Sequence, residues 1–122
     1  MRLTPAPLVI ATTLLYSACG IECTLLPCPG LAVQLEGMIP PEYTVTLSSP
    51  DAESMSRTCN SASPCPADLI RFFGYAPQEV TVSVVWVSGS VAVTVQPNYE
   101  TVYPNGPGCS ECRTATITIE LG

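Results

Sequence analysis

The sequence predicts an all-β fold, an antiparallel β-sandwich of about seven strands. Three observations carry this. Apolar residues recur at every second position in several short segments, the pattern of a half-buried strand. Turn residues interrupt these segments roughly every 8–12 residues, the spacing expected of sandwich strands. No long segment shows the period of an amphipathic helix, and no internal repeat is present.

Taken in order, Gly20–Pro29 contains cysteine and proline and reads as an irregular tether. Leu31, Val33 and Leu35 alternate with Ala32, Gln34 and Glu36, which predicts a first strand. Pro40-Pro41 stops it. Tyr43, Val45 and Leu47 alternate with Thr44, Thr46 and Ser48 in a second strand. Ser49-Pro50-Asp51-Ala52 is turn chemistry, and Ser54–Cys59 follows as a weaker strand at an edge. Asp68–Phe73 is short and apolar and suits a strand better than a helical turn. The strongest signal comes next. Val80, Val82, Val84 and Trp86 share one face, as do Val91, Val93 and Val95, with Ser88-Gly89 as the tight turn between them. That turn would set Trp86 opposite Val91, Val84 opposite Val93 and Val82 opposite Val95, with Ser83 facing Thr94 outside and all six large side chains buried. Pro97–Gly108 is rich in Pro, Gly, Asn and Tyr and reads as a loop. Ala115, Ile117, Ile119 and Leu121 then alternate with Thr114, Thr116, Thr118 and Glu120 in a closing strand.

The cysteines speak for an oxidising compartment. There are seven: Cys19, Cys23, Cys28, Cys59, Cys65, Cys109 and Cys112. If Cys19 is set aside, the six that remain form an even set, as three disulfides require. The spacing leaves the connectivity open. Neighbours could pair, or strand ends could bring Cys23 or Cys28 beside Cys109 or Cys112. The turn-rich loop Asn60–Pro64 makes Cys59 with Cys65 the best-supported bond.

Charge and composition exclude several function classes. Beyond residue 18 the chain carries three arginines (Arg57, Arg71 and Arg113), no lysine, no histidine and all ten acidic residues, a formal charge of −7. Such a surface repels nucleic acid and offers anionic lipid no attraction. Without histidine there is no Ser-His-Asp or Cys-His centre and no imidazole metal ligand. Cys109-Ser110-Glu111-Cys112 has the spacing of a redox motif or of half a zinc site, but a strand follows it rather than a helix, so structural disulfide bonding is the expectation. Asp51 and Glu53 are too few for a calcium loop, and the remaining carboxylates are scattered. The expectation is a protein that is not an enzyme, with no cofactor and no metal. Trp86 reads as core.

Two resemblances add to this. The stretch Pro40-Pro41-Glu42-Tyr43-Thr44-Val45-Thr46-Leu47, with the strand order, resembles the prealbumin-like sandwich modules related to carboxypeptidase regulatory domains. An immunoglobulin-like topology is the rival, although Trp86 lacks the Cys…Trp…Cys context of that fold. The N-terminus carries the second resemblance. Met1-Arg2 is followed by an apolar run, Ala6–Leu15, too short to span a bilayer. Ser17-Ala18-Cys19 closes it, with Tyr16 where a leucine is usual. This resembles the lipobox of bacterial lipoproteins, and the resemblance implies that Cys19 is acylated and becomes the first mature residue. The implied organisation is a signal peptide over 1–18, a tether over 19–29 and a sandwich over 30–122. The alternative is plain cleavage and secretion. Gly20 after the cysteine implies export to the outer membrane where the host has one.

The functional expectation is therefore a cell-envelope lipoprotein, held to the membrane by its lipid anchor, whose sandwich is a structural or protein-interaction module with an envelope protein as its candidate partner. The second reading, from a different class, is a small hydrolase inhibitor or ligand-binding module. It would use the 97–108 loop, where Tyr99 and Tyr103 offer large amphipathic area and Asn105 a side-chain amide. The competing role for both tyrosines is to pack down and staple a crossover.

Overall fold

The computed structural model describes residues 22–122 and contains eight strands in two four-stranded sheets. They are β1 (Gly30–Glu36), β2 (Tyr43–Ser49), β3 (Ala52–Cys59), β4 (Leu69–Phe72), β5 (Val80–Trp86), β6 (Gly89–Val95), β7 (Glu100–Val102) and β8 (Cys112–Glu120). One sheet runs β4-β1-β8-β7, the other β3-β2-β5-β6. All pairings are antiparallel except β1 with β8, which is parallel. The expected sandwich is thus present, with one strand more than the sequence pattern suggested. Its first two strands lie in different sheets, unlike constant-type immunoglobulin domains. Residues 1–21, with the signal peptide and Cys19, lie outside the described residues.

The period-two pattern works as the sequence implies. Leu31, Val33 and Leu35 of β1, Val45 and Leu47 of β2, Val80, Val82 and Val84 of β5, and Ile117 and Ile119 of β8 fill the space between the sheets. Each such aliphatic side chain, fully buried, contributes about 1.5–3 kcal/mol. Ile70, Phe72 and Tyr75 complete the core from β4 and the turn after it. Gly30 enables that turn to approach. It has φ +67°, and a Cβ there would lie 2.3 Å from the Phe72 carbonyl oxygen.

Three expectations need correction. The first is the β5–β6 register. The pairs are Val84 with Val91, Val82 with Val93, Val80 with Val95 and Trp86 with Gly89, so the turn is Val87-Ser88. The faces are as expected, because a slip of two residues preserves side-chain alternation. Gly89 explains the choice. A Cβ there would meet the Trp86 ring at 2.9 Å, so Trp86 lies against the one residue that leaves room for it. Accordingly Thr94 faces Thr81, with 2.8 Å between their hydroxyl oxygens, and Ser83 faces Ala92. The second concerns burial. Trp86, Val91 and Val95 are half-buried and Val93 is 37% exposed, because β6 is an edge that the facing sheet does not fully cover. The third is the 97–108 loop. It contains β7, which pairs with Cys112–Thr114, so the Pro97 and Pro104 breaks bound a short strand instead of excluding one. Asp68–Phe73 divides in a related way, with a 3₁₀ turn at Pro66–Asp68 leading into β4.

The topology defines two poles. The N-terminal ends of β1 and β8 and the C-terminal ends of β4 and β7 meet at one, where residues 22–29 join the sandwich. The far pole holds the β1–β2 corner at Pro40-Pro41, the Cys59–Cys65 loop and the Val87-Ser88 turn.

Candidate functional site

The entry pole is built by long-range bonds between residues 22–29 and the segment before β8. Cys23 is bonded to Cys109 and Cys28 to Cys112, with Cα separations of 5.9 and 5.3 Å. Of the pairings left open by spacing, the strand-end arrangement holds and the C-x-x-C cysteines do not bond each other. Cys59 is bonded to Cys65, as expected. That small ring is completed by Asn60, whose side-chain oxygen accepts from the Ser63 backbone N–H at 2.7 Å.

Between the two long-range disulfides sits Asn105. Its Oδ1 accepts from the Thr24 hydroxyl at 2.8 Å and the Leu26 N–H at 2.6 Å, and its Nδ2 donates to the Leu26 carbonyl at 3.1 Å. The Gly74 N–H donates to the Cys28 carbonyl at 2.8 Å. The tether is therefore a strap laid along the sandwich. The other two residues singled out in this loop differ in fate. Tyr99 is half-buried, and its hydroxyl donates to the Pro77 carbonyl at 2.6 Å. Burial pushes its phenol up to about 12, against the opposing influence of Arg113, whose guanidinium lies 5.8 Å from the ring centroid. Tyr103 is half exposed, with its hydroxyl 3.5 Å from Glu111 Oε2. So Tyr99 staples the crossover, Asn105 clasps the strap and Tyr103 alone faces outward. Asn105-Gly106 signals a local turn, but no local pattern reveals a contact 79 positions away.

The same pole exposes apolar surface. Leu25 is 97% exposed and Leu26 57%, next to the segment that carries Tyr103. Phe73, 59% exposed, adjoins the Gly74 that bonds the strap.

The far pole has a cleft of about 550 Å³ between Pro40-Pro41 and Val85-Trp86-Val87, and a smaller one of about 300 Å³ beside the Cys59–Cys65 ring. Tyr43, with Pro40 and Pro41, lines both. Its hydroxyl donates to Asp68 Oδ1 at 2.8 Å, and burial with this bond raises the phenol far above its ordinary value. Ala67 and Asp68 both have left-handed backbones, φ 56° and 54°, which costs non-glycine residues free energy. The Gln34 side-chain amide donates to both carbonyls and holds the turn. Sequence reasoning missed this cluster, since it joins β1, β2 and the 3₁₀ turn only in three dimensions.

Reactive groupings are sparse. Glu36 and Glu120 face each other across the parallel β1–β8 pair, and the shared hydrogen bond raises Glu120 above the usual carboxylate range. Neither lines the two far-pole clefts. Cys23, Cys28, Cys59, Cys65, Cys109 and Cys112 are all oxidised, and among the described residues no three metal-ligating side chains converge. No family model, curated protein or solved structure matches the chain.

Proposed function

We propose that this protein is a lipid-anchored, non-catalytic envelope lipoprotein whose disulfide-braced sandwich, of prealbumin-like kind, serves as an interaction or structural module. The three disulfides point to an oxidising, extracytoplasmic compartment. The observation that carries the anchoring reading is the entry pole. Cys23, the first stapled residue, comes four positions after the lipobox cysteine. Four residues reach at most about 14 Å, so an acyl chain on Cys19 would hold this pole at the bilayer surface. That pole displays Leu25, Leu26, Phe73 and Tyr103, residue types suited to the headgroup boundary. The acidic groups, Glu111 beside Tyr103 among them, give no electrostatic attraction to anionic lipid, so acylation and these side chains would carry the attachment.

The test is chemical. The protein isolated from its host should partition into detergent and carry lipid mass on an N-terminal Cys19. Cys19→Ser should abolish both. An unmodified mature chain that begins elsewhere and stays in the aqueous phase would refute the reading and favour plain secretion. The inhibitor reading keeps Tyr103 as its exposed anchor, whereas Tyr99 and Asn105 already have partners within the fold.

A further inference from the structure

The two sheets have four edges, and three are guarded. β3 carries Glu53 and Arg57, β4 carries Arg71, and β7 carries Glu100 between Pro97 and Pro104. Charges and prolines at an edge are the usual protection against pairing with another chain. β6, Gly89–Val95, has neither. Its sequence Gly-Ser-Val-Ala-Val-Thr-Val contains no charge and no proline over seven residues, in a domain that is otherwise strongly acidic.

The edge is also self-complementary. The two-residue turn makes Trp86–Gly89 a hydrogen-bonded pair, and antiparallel ladders alternate. The backbone groups of Ser90, Ala92 and Thr94 therefore point away from β5. A two-fold axis through Ala92 would set Ala92 opposite Ala92 of a second copy, and Ser90 opposite Thr94. All three pairs then place outward-pointing groups against outward-pointing groups. On the outer face, Ser90 beside Thr94 would continue hydroxyl pairs already present across this sheet. Thr44 with Thr58 and Thr81 with Thr94 are each 2.8 Å apart, and Thr46 with Ser56 is 3.2 Å apart. On the inner face, Val91 would meet Val93, covering a valine that is now 37% exposed.

We infer that a second copy of this chain occupies the β6 edge, giving an isologous dimer with a continuous eight-stranded sheet centred on Ala92. The near-palindrome Ser90-Val91-Ala92-Val93-Thr94 favours a second copy, and among the described residues β6 is the edge strand with no charged side chain, so two copies of a −7 body can meet there without apposing charges on the paired strands. The inference is independent of lipid attachment.

The test is sedimentation of the chain purified from cells, in detergent density-matched to the solvent, with and without added salt. A dimer is expected, tightened by salt as repulsion between the bodies is screened. Ala92→Glu places like charges directly opposite at the axis and should weaken it by tenfold or more. Ala92→Pro removes an outward N–H without touching the β5 ladder, where an edge proline is tolerated, and should do the same. Circular dichroism would verify that both variants remain folded. In the wild type the Ser90, Ala92 and Thr94 amides should exchange more slowly as concentration rises. A monomer throughout the micromolar range would overturn the inference, as would a dimer that both folded variants retain, or protection of these amides only by a different protein.

Discussion

Single side chains at this protein's poles do structural work over long sequence distances. Asn105 is the clearest case. Three hydrogen bonds from one amide fasten the strap, and because the site is exposed each is worth the low end of the usual range. Asn105→Ala should cost about 1–2 kcal/mol in denaturant unfolding, with faster hydrogen exchange at Leu26. The tyrosines set an alkaline limit. The Tyr99 phenol stands at about 12, and burial also raises Tyr43 and Tyr75, whereas an unfolded tyrosine titrates near 10. A raised folded value means stability that is whole below about pH 10 and is lost as pH climbs from about 10 to about 12. Stability measured across that window should fall. Tyr99→Phe should be less stable at neutral pH, lacking its bond to Pro77, and should lose less on going alkaline. A variant that declines as steeply as the wild type would show that Tyr99 does not contribute to this limit.

Among the elements, β5 and β6 show how the same residue type differs in worth. Val82 and Val84 are fully buried at the centre of their sheet, while Val93 lies half-covered on the edge. Val84→Ala should cost about 2–3 kcal/mol. Val93→Ala should cost less, about 1 kcal/mol in the monomer, since its side chain is still 37% exposed. Equal losses in thermal unfolding would contradict the burial described here. The alternation that identifies these strands was plain in the sequence. Their register was not. Every shift by two keeps valine facing valine, so the choice fell to the contact of Trp86 with Gly89.

Over the whole molecule, the two long disulfides interleave in sequence, each closing most of the chain into a loop, over separations of 86 and 84 residues. Loop entropy assigns about 4.5 kcal/mol to a closure of that size. With one bond intact, the other closes only a ring of roughly ten residues and adds about 2–3 kcal/mol. Replacing Cys23 and Cys109 by Ser, or Cys28 and Cys112, should therefore cost about 2–3 kcal/mol each, and replacing all four about 7 kcal/mol. The excess over the two losses combined is the signature of a shared loop. Strictly additive losses in a double-mutant cycle would mean that the strap braces the fold by local contacts instead.

The sequence by itself determined the fold class, the strand faces and the oxidising setting. Each follows from a local rule: period-two alternation sorts side chains between core and solvent, Pro and Gly punctuate, and an even cysteine count in a histidine-free acidic domain suits disulfides better than chemistry. The Cys59–Cys65 bond was within reach for the same reason, because only the turn-forming Asn60–Pro64 separates its ends. Tertiary structure decided the rest. It turned the tether into a strap, split Tyr99, Asn105 and Tyr103 among three roles, left β6 as the unguarded edge, and joined Gln34, Tyr43 and Asp68 around a left-handed turn. These outcomes depend on which strand ends share a pole. That is set by the parallel neighbour relation of β1 and β8, a pairing between segments about 84 residues apart, and no local pattern of side chains encodes it.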